Sequence, residues 1–213
     1  MVVRVCERAV ASGALSVAVA TDDERILQAV RGHGHRALMT RAGHPSGTDR
    51  VAEAAAALGL KGEDIVVNVQ GDEPLIEPDL IADVAATLDR NREASMSTAC
   101  HAIQDAGSFA NPNVVKVVLD DKGFALYFSR AGIPYPSEGE PAAYRHIGIY
   151  AYRASFLYRY SSLPVSPLET TEALEQLRAL WHGFRIVVAI GKGEVAPGVD
   201  TPQDLEAARK MRP

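Results

Sequence analysis

Residues 69–74, Val69-Gln70-Gly71-Asp72-Glu73-Pro74, place an amide and a carboxylate directly behind an apolar, β-branched run, Ile65-Val66-Val67-Asn68-Val69. Such a run reads as a buried strand. The motif then falls at the carboxyl end of a sheet, where open α/β sheets bind ligands. Gly71 lets backbone approach a ligand, and Asp72 offers a hard oxygen to a cation such as Mg²⁺. An acidic turn closed by Pro74 accounts for the same residues without function. Gly198-Val199-Asp200-Thr201-Pro202 offers a second carboxylate, Asp200. Its local alternative is concrete: Thr201 caps a helix, Pro202 fills the first turn, Asp204 completes a capping box, and Asp200 is solvated. Ser46-Gly47-Thr48-Asp49-Arg50 supplies a hydroxyl and a guanidinium for a base or a phosphate. A capping box of Ser46 and Asp49, with Arg50 as a surface charge, explains it equally.

Arg145-His146-Ile147-Gly148-Ile149-Tyr150-Ala151-Tyr152 alternates with period two. As a strand it sets His146, Gly148, Tyr150 and Tyr152 on one face, opposite Ile147 and Ile149. A strand histidine is commonly structural; His146 beside Tyr150 also suits a polar ligand wall. Glu175 and Gln176, by themselves, read as solvent-facing residues of a helix. No G-x-G-x-x-G, P-loop or G-x-S-x-G run is present, so dinucleotide oxidoreductases, P-loop NTPases and α/β-hydrolases lose support.

These motifs need elements to carry them. Residues 2–12 form an amphipathic helix stopped by Gly13, and 15–20 a short strand. Thr21-Asp22-Asp23-Glu24 caps a helix to about Gly32, followed by a strand at 36–39 and an Ala-rich helix over 46–58. After the strand at 65–69, a helix runs from Pro78 to about Asn91. This alternation predicts an α/β fold, a mostly parallel sheet with helices on both faces. Beyond residue 94 the pattern changes to strands at 95–103, 114–119, 124–128 and 147–153. Asp120-Asp121-Lys122-Gly123 signals a hairpin, so an antiparallel part is expected. A helix at about 168–181, a strand at 185–190 and a helix from Pro202 complete the chain. A doubly wound sheet normally opens on a strand whose loop holds phosphates. This sequence opens on a helix, so that strand and loop are expected ahead of Met1.

With 213 residues, 47% of them hydrophobic, the chain suits one domain with a sizeable core and is not a disordered segment. Twenty-two Lys and Arg against 27 Asp and Glu give a net charge of −5 without a basic run, which argues against a nucleic-acid partner. An anionic substrate must be held by local cations or by metal ions. No apolar stretch reaches the roughly 18 residues of a membrane span, and early charges exclude a signal-peptide pattern. Cys6 and Cys100 are too few for a disulfide framework. A reducing, cytoplasmic compartment is expected.

Five segments together carry a resemblance: Arg41 to Arg50, Val66 to Pro74, Tyr127-Phe128-Ser129-Arg130-Ala131, Arg145 to Tyr150, and Gly198 to Pro202. In that order they resemble the 3-deoxy-manno-octulosonate (Kdo) cytidylyltransferase family, from residue 1 to the last helix. The resemblance implies a single Rossmann-like nucleotidyltransferase domain that couples Kdo to CMP, using CTP and Mg²⁺, for lipopolysaccharide biosynthesis. It also implies a homodimer built on the antiparallel region, about 95–153. On that basis Ser46, Arg50 and Gln70 are nucleotide contacts, and Asp72 and Asp200 the catalytic Mg²⁺ ligands. Arg130, His146, Tyr150, Glu175 and Gln176 form the sugar-acid pocket. The family opens with a strand and an I-P-A-R-x-x-S-x-R-L-P-G-K-P-L loop whose Arg and Lys hold the phosphates; Met1 aligns just after it. The chain is then a fragment or a degraded copy, and from Met1 alone it is expected to turn over poorly. The loop at 134–144 is also shorter than the family's. A CMP-activating enzyme for another sugar acid, such as sialic acid, and a non-catalytic remnant are the alternatives.

Overall fold

The computed structural model describes residues 1–139, 142–191, 199 and 201–210. In chain order its elements are α1 (Val2–Ala11), β1 (Val19–Thr21), α2 (Glu24–Gly32), β2 (Ala37–Met39), α3 (Gly47–Ala57), β3 (Ile65–Asn68), α4 (Pro78–Arg90) and β4 (Met96–Ala102). There follow α5 (Ala106–Ala110), β5 (Lys116–Leu119), β6 (Ala125–Ser129), β7 (Tyr144–Arg153), α6 (Ala154–Tyr160), α7 (Pro167–Glu172), α8 (Gln176–Trp181), β8 (Ile186–Ile190) and α9 (Pro202–Lys210). The capping signals act as the sequence suggests. Asp23, Ser46 and Thr201 accept from backbone N–H groups in the first turns of α2, α3 and α9, satisfying donors that a helix start leaves unpaired.

Among the described residues six strands form the main sheet in the order β6-β5-β7-β4-β8, and β3 pairs with β7. β4 and β8 are parallel; β7 runs antiparallel to β3, β4 and β5. Four strands, β3, β4, β5 and β8, therefore point one way, against β6 and β7. On one face α3, α6 and α8 contribute to a core with Met96, Cys100, Phe128, Tyr152, Leu157 and Leu177. On the other, α4 covers Ala99, Ile149, Ala151 and Val187. The fold is the expected α/β layering, with helices on both faces. The hairpin of β5 and β6 turns at Gly123, whose φ of 80° needs glycine's freedom. Its carbonyl accepts from Val188 N–H at 2.9 Å, so the turn covers part of the β8 edge.

Besides the unanticipated helices α5 and α6, three features of the expected elements differ from the sequence reading. The first strand is shorter: Leu15 is fully exposed, and pairing begins at Val19, because β2 offers only three residues as a partner. β1 and β2 form a separate two-stranded parallel sheet. β3 is only half-buried along its length, since among the described residues β7 covers one edge and no strand pairs with the other. α1 lies against α2 and α4, with Val2 packed on the cluster of Leu27, Val30 and Ala37 and Ala9 on the cluster that includes Ile81, Val84 and Ile149.

The third difference is a break in the helix expected at 168–181. α7 ends at Glu172, Ala173 takes a left-handed conformation (φ 53°, ψ 48°), and α8 starts at Gln176. A fork holds the two pieces: Arg178 donates from Nε to Glu169 Oε2 at 2.8 Å and from NH2 to Oε1 at 2.5 Å, both side chains nearly buried. The Arg178 guanidinium also lies 4.8 Å above the Tyr160 ring. Left-handed backbone costs a non-glycine residue about 1–2 kcal/mol, and Ala173 is exposed, with no packing to lose. Ala173→Gly should therefore gain about 0.5 kcal/mol, after allowing for glycine's greater unfolded-state entropy. Ala173→Val should lose about 1–2 kcal/mol. Urea unfolding of the three proteins checks this; in a continuous helix Ala173→Gly would instead lose about 1 kcal/mol.

Candidate active site

β7 brings the aromatic wall together as its alternation dictates. His146 and Tyr150 rings lie 5.5 Å apart, Tyr150 and Tyr152 6.1 Å apart, and the Phe128 edge meets His146 at 5.0 Å. Ile147 and Ile149 pack into the opposite core. The register against β4 shifts between Thr98, opposite Tyr150, and Ala99, opposite Ile147. Thr98 fills that irregularity: its Oγ1 lies 2.7 Å from the Ile149 carbonyl, 3.2 Å from that of Ile147 and 2.8 Å from His146 Nε2. Desolvation keeps His146 neutral, its pKa lowered to about 3, and pushes the Tyr150 phenol well above its ordinary range.

The helix break delivers the other side of this wall. Gln176, expected in solvent, is buried; its Oε1 accepts from the Tyr150 hydroxyl at 3.2 Å, while its Nε2 is buried with no hydrogen-bond partner. Beside it is a cavity of about 10 Å³ lined by Thr48, Met96, Tyr150, Tyr152, Tyr160, Glu175 and Gln176. That is room for about one water or one hydroxyl. Tyr160 donates to the Glu175 carbonyl at 2.8 Å, and Thr48 donates to Glu175 Oε2 at 3.3 Å. Desolvation raises the Glu175 pKa, outweighing the Thr48 hydrogen bond that lowers it. Thr48 belongs to the first turn of α3, so this contact ties the Ser46–Arg50 motif to the β7 wall.

Arg130 lies just past β6 and is held by the end of α7. Its N–H and the Ser129 hydroxyl donate to the Glu172 carboxylate at 2.9 and 2.6 Å, and its Nε donates to the Glu172 carbonyl at 2.8 Å. Behind it, fully buried Lys116 donates to the carbonyls of Asn111, Val114 and Arg130 at 2.9, 2.5 and 2.7 Å. Burial lowers the Lys116 pKa, yet all three ammonium donors are matched.

The remaining residues cluster at strand ends. The Ser46 hydroxyl is engaged within its cap, donating to Asp49 Oδ2 at 2.7 Å. Arg50 donates to Thr40 Oγ1 at 2.7 Å and Asp22 Oδ2 at 2.8 Å, bridging the ends of β2 and β1. Gln70 is exposed in the turn after β3, two residues beyond Asn68, the partner of Tyr150. The Asp72 carbonyl accepts from Val199 N–H at 2.9 Å, which brings the 198–202 motif to the 69–74 motif. Asp200, like Gly198, lies outside the described residues. Among the described residues no three His, Cys, Asp or Glu side chains gather to hold a metal.

Thr48, Thr98, Lys116 and Glu172 are the participants that sequence reasoning missed. Lys116 carried a signal, a charge inside the apolar run Val114–Leu119; Thr98 carried none. The state of His146 is testable through stability. Its folded pKa near 3 lies below the unfolded value of about 6.5. Between these values the unfolded chain binds the extra proton, so stability should fall as pH drops from about 6.5 toward 3. The slope from this one group approaches about 1.4 kcal/mol per pH unit. Urea unfolding at pH 7, 5.5 and 4.5 should show a flatter profile for His146→Gln than for the native chain; identical profiles would mean that His146 is not held neutral.

The family model described as Cytidylyltransferase matches residues 1–186. The 3-deoxy-manno-octulosonate cytidylyltransferase of Leptothrix cholodnii is 57% identical, covering 99% of this chain and 81% of its own length. That of Acidovorax sp. strain JS42 is also 57% identical, covering 99% and 87%. The solved CMP:2-keto-3-deoxy-manno-octonic acid synthetase, complexed with CTP, superposes with a TM-score of 0.91 at 44% identity, over 98% of this chain and 85% of that one. A 4-diphosphocytidyl-2C-methyl-D-erythritol synthase shares the fold at a TM-score of 0.60 and 14% identity, over 97% and 87%. On this likeness in sequence and structure, the chain belongs to the 3-deoxy-manno-octulosonate cytidylyltransferase family.

Proposed function

We propose that the chain transfers the cytidylyl group of CTP to Kdo, giving CMP-Kdo and pyrophosphate in the cytoplasm, for lipopolysaccharide biosynthesis. A Kdo hydroxyl oxygen attacks the α-phosphorus, the bond to the β-phosphate oxygen breaks, pyrophosphate leaves with the electron pair, and the hydroxyl proton passes to solvent. The observation that carries the sugar side is Gln176. A buried amide donor without a partner, beside a small cavity walled by hydroxyls, suits a polyhydroxylated ligand. Tyr150 and Glu175 line that cavity; His146, on the same face of β7, and Arg130, just past β6, are assigned to the sugar pocket by the family resemblance. Ser46, Arg50 and Gln70 take the nucleotide at the strand ends.

Mg²⁺ is proposed as the cofactor. Asp72 offers hard oxygen, and the Val199 contact supports Asp200 as its companion. Mg²⁺ needs only one or two carboxylates beside phosphate and water, so this donor set fits. When bound it would neutralise phosphate charge and lower the pKa of the attacking hydroxyl. The homodimer is proposed through the antiparallel region, where β6 is a terminal strand of the main sheet and exposes Leu126. The cytoplasmic placement rests on Cys6 and Cys100, both buried free thiols; no helix among the described residues is long and apolar enough to cross a membrane.

Pyrophosphate release with CTP, Mg²⁺ and either Kdo or sialic acid tests the assignment. Asp72→Asn should lower kcat about a hundredfold or more, and Gln176→Ala should raise the KM for Kdo about tenfold while leaving that for CTP nearly unchanged. Turnover with sialic acid but not Kdo would replace the proposed acceptor. The same assay on a chain extended upstream of Met1 tests the expected phosphate loop; equal turnover by both lengths would discard it.

A further inference from the structure

We propose that Thr98 is a positioning residue that locks His146 in its Nε2–H tautomer, so that the imidazole meets the sugar acid as an acceptor of a hydroxyl proton. The inference rests on the reading of His146 as a wall of the sugar pocket.

A threonine hydroxyl has one proton. Thr98 Oγ1 has two carbonyl oxygens within reach, at 2.7 Å from Ile149 and 3.2 Å from Ile147. Carbonyls only accept. Two oxygens 2.7 Å apart repel unless a proton lies between them, and 2.7 Å is an ordinary O–H···O length. The Thr98 proton is therefore committed to the backbone of β7. The 2.8 Å contact between Oγ1 and His146 Nε2 then needs a proton of its own, and only the imidazole can supply it. Nε2 carries the hydrogen, and in a neutral ring Nδ1 keeps a bare lone pair.

The surroundings leave that lone pair to a ligand. Phe128 meets the ring at 5.0 Å and Tyr150 at 5.5 Å, which fixes its plane. Nδ1 has no hydrogen bond among the described residues. It is also absent from the buried atoms lacking one, which are Arg145 Nε, Arg153 NH1 and Gln176 Nε2. It therefore reaches solvent. An acceptor at this position favours a hydroxyl and disfavours a carboxylate, which has no proton to give. Beyond the Tyr150 ring, whose hydroxyl donates to Gln176, the unpartnered Gln176 amide offers a donor, so the two groups together read a hydroxyl pattern instead of a charge.

The test is a long-range ¹H–¹⁵N correlation spectrum of the histidine-labelled protein, with His146 assigned through His146→Gln. The native spectrum should show a protonated Nε2 and an unprotonated Nδ1 between pH 6 and 8. Thr98→Val, which keeps the shape and removes the hydroxyl, should mix the two tautomers; Thr98→Ser should restore the native pattern. In the pyrophosphate assay Thr98→Val should raise the KM for Kdo about tenfold, leave that for CTP nearly unchanged, and be rescued by serine. A protonated Nδ1 in the native protein would overturn the proposal without recourse to any variant, as would a Thr98→Val spectrum identical to the native one. Adding Kdo should shift Nδ1. An unmoved Nδ1 in protein that binds Kdo by calorimetry would overturn the acceptor role. Absence of Kdo binding, with the tautomer as expected, would instead discard the sugar-pocket reading on which the role depends.

Discussion

The register of β7 is the constraint on which the rest of the molecule hangs. This ten-residue strand pairs with β4 along one edge, and with β5 and then β3 along the other. A slip of one residue would exchange its faces. It would drive His146, Tyr150 and Tyr152 into the apolar core under α4 and expose Ile147 and Ile149. Three partners fix the register, yet they do not match β7 perfectly: two residues of β4 face a stretch of four in β7, from Ile147 to Tyr150. The mismatch frees backbone carbonyls, and Thr98 answers them with its hydroxyl. A strand irregularity beside a ligand wall is a common way to re-aim side chains. Here it sets His146 and Tyr150 on one face with ring contact across Gly148.

The second constraint works against local preference. The segment 167–181 has no glycine or proline after Pro167, and its residues would continue a helix. Tertiary contacts break it instead. The Glu169–Arg178 fork joins residues on either side of the break, and Tyr160 holds both the guanidinium face and the Glu175 carbonyl. Burying such a pair gives little net stability, but deleting one partner typically costs about 3–5 kcal/mol. The fork is better understood as a device of geometry. By stopping α7 at Glu172, it points one carboxylate at Ser129 and Arg130. By restarting the helix at Gln176, it sends an amide into the β7 wall.

These two constraints explain what could be read from the sequence. The alternation at 145–152, the caps at Asp23, Ser46 and Thr201 and the hairpin at 120–123 are local patterns, and the structure contains them. Their chemistry is complete within a few residues, so neighbours in sequence suffice to see it. The break at Ala173 is set by partners nine residues apart and by a tyrosine on α6. Gln176 was therefore expected in solvent and is buried. Thr98 gains its role only from the register of a strand about fifty residues away. The half-exposure of β3 was equally hidden, since apolar, β-branched composition reports what a strand can bury but not which edges are paired. Of the candidate site, the β7 wall was legible as a face; its partners from α3, β4 and α8 were not.

One electrostatic consequence ties the site together. An acidic chain that handles two anionic substrates has to keep its cations where charge is transferred. Under the proposed function the β7 and α8 part of the sugar pocket carries little charge: His146 is uncharged, Tyr150 holds its proton and Gln176 is an amide, while desolvation raises the Glu175 pKa and Arg130 is the pocket's one cation among the described residues. Neutral groups in a desolvated pocket discriminate by whether each hydrogen bond is made, since an unmade one leaves a buried donor or acceptor stranded. Under the proposed function, identity of the sugar acid is then read by hydroxyl pattern at β7 and α8. The proposal leaves phosphate charge to the strand ends and to the cation that Asp72 would hold. Arg50 illustrates the same economy from the other side, its guanidinium already committed to Asp22 and Thr40 across β1 and β2. Those contacts use two of its five N–H donors, so under the proposed function it can reach a nucleotide with the rest while staying anchored across the small sheet.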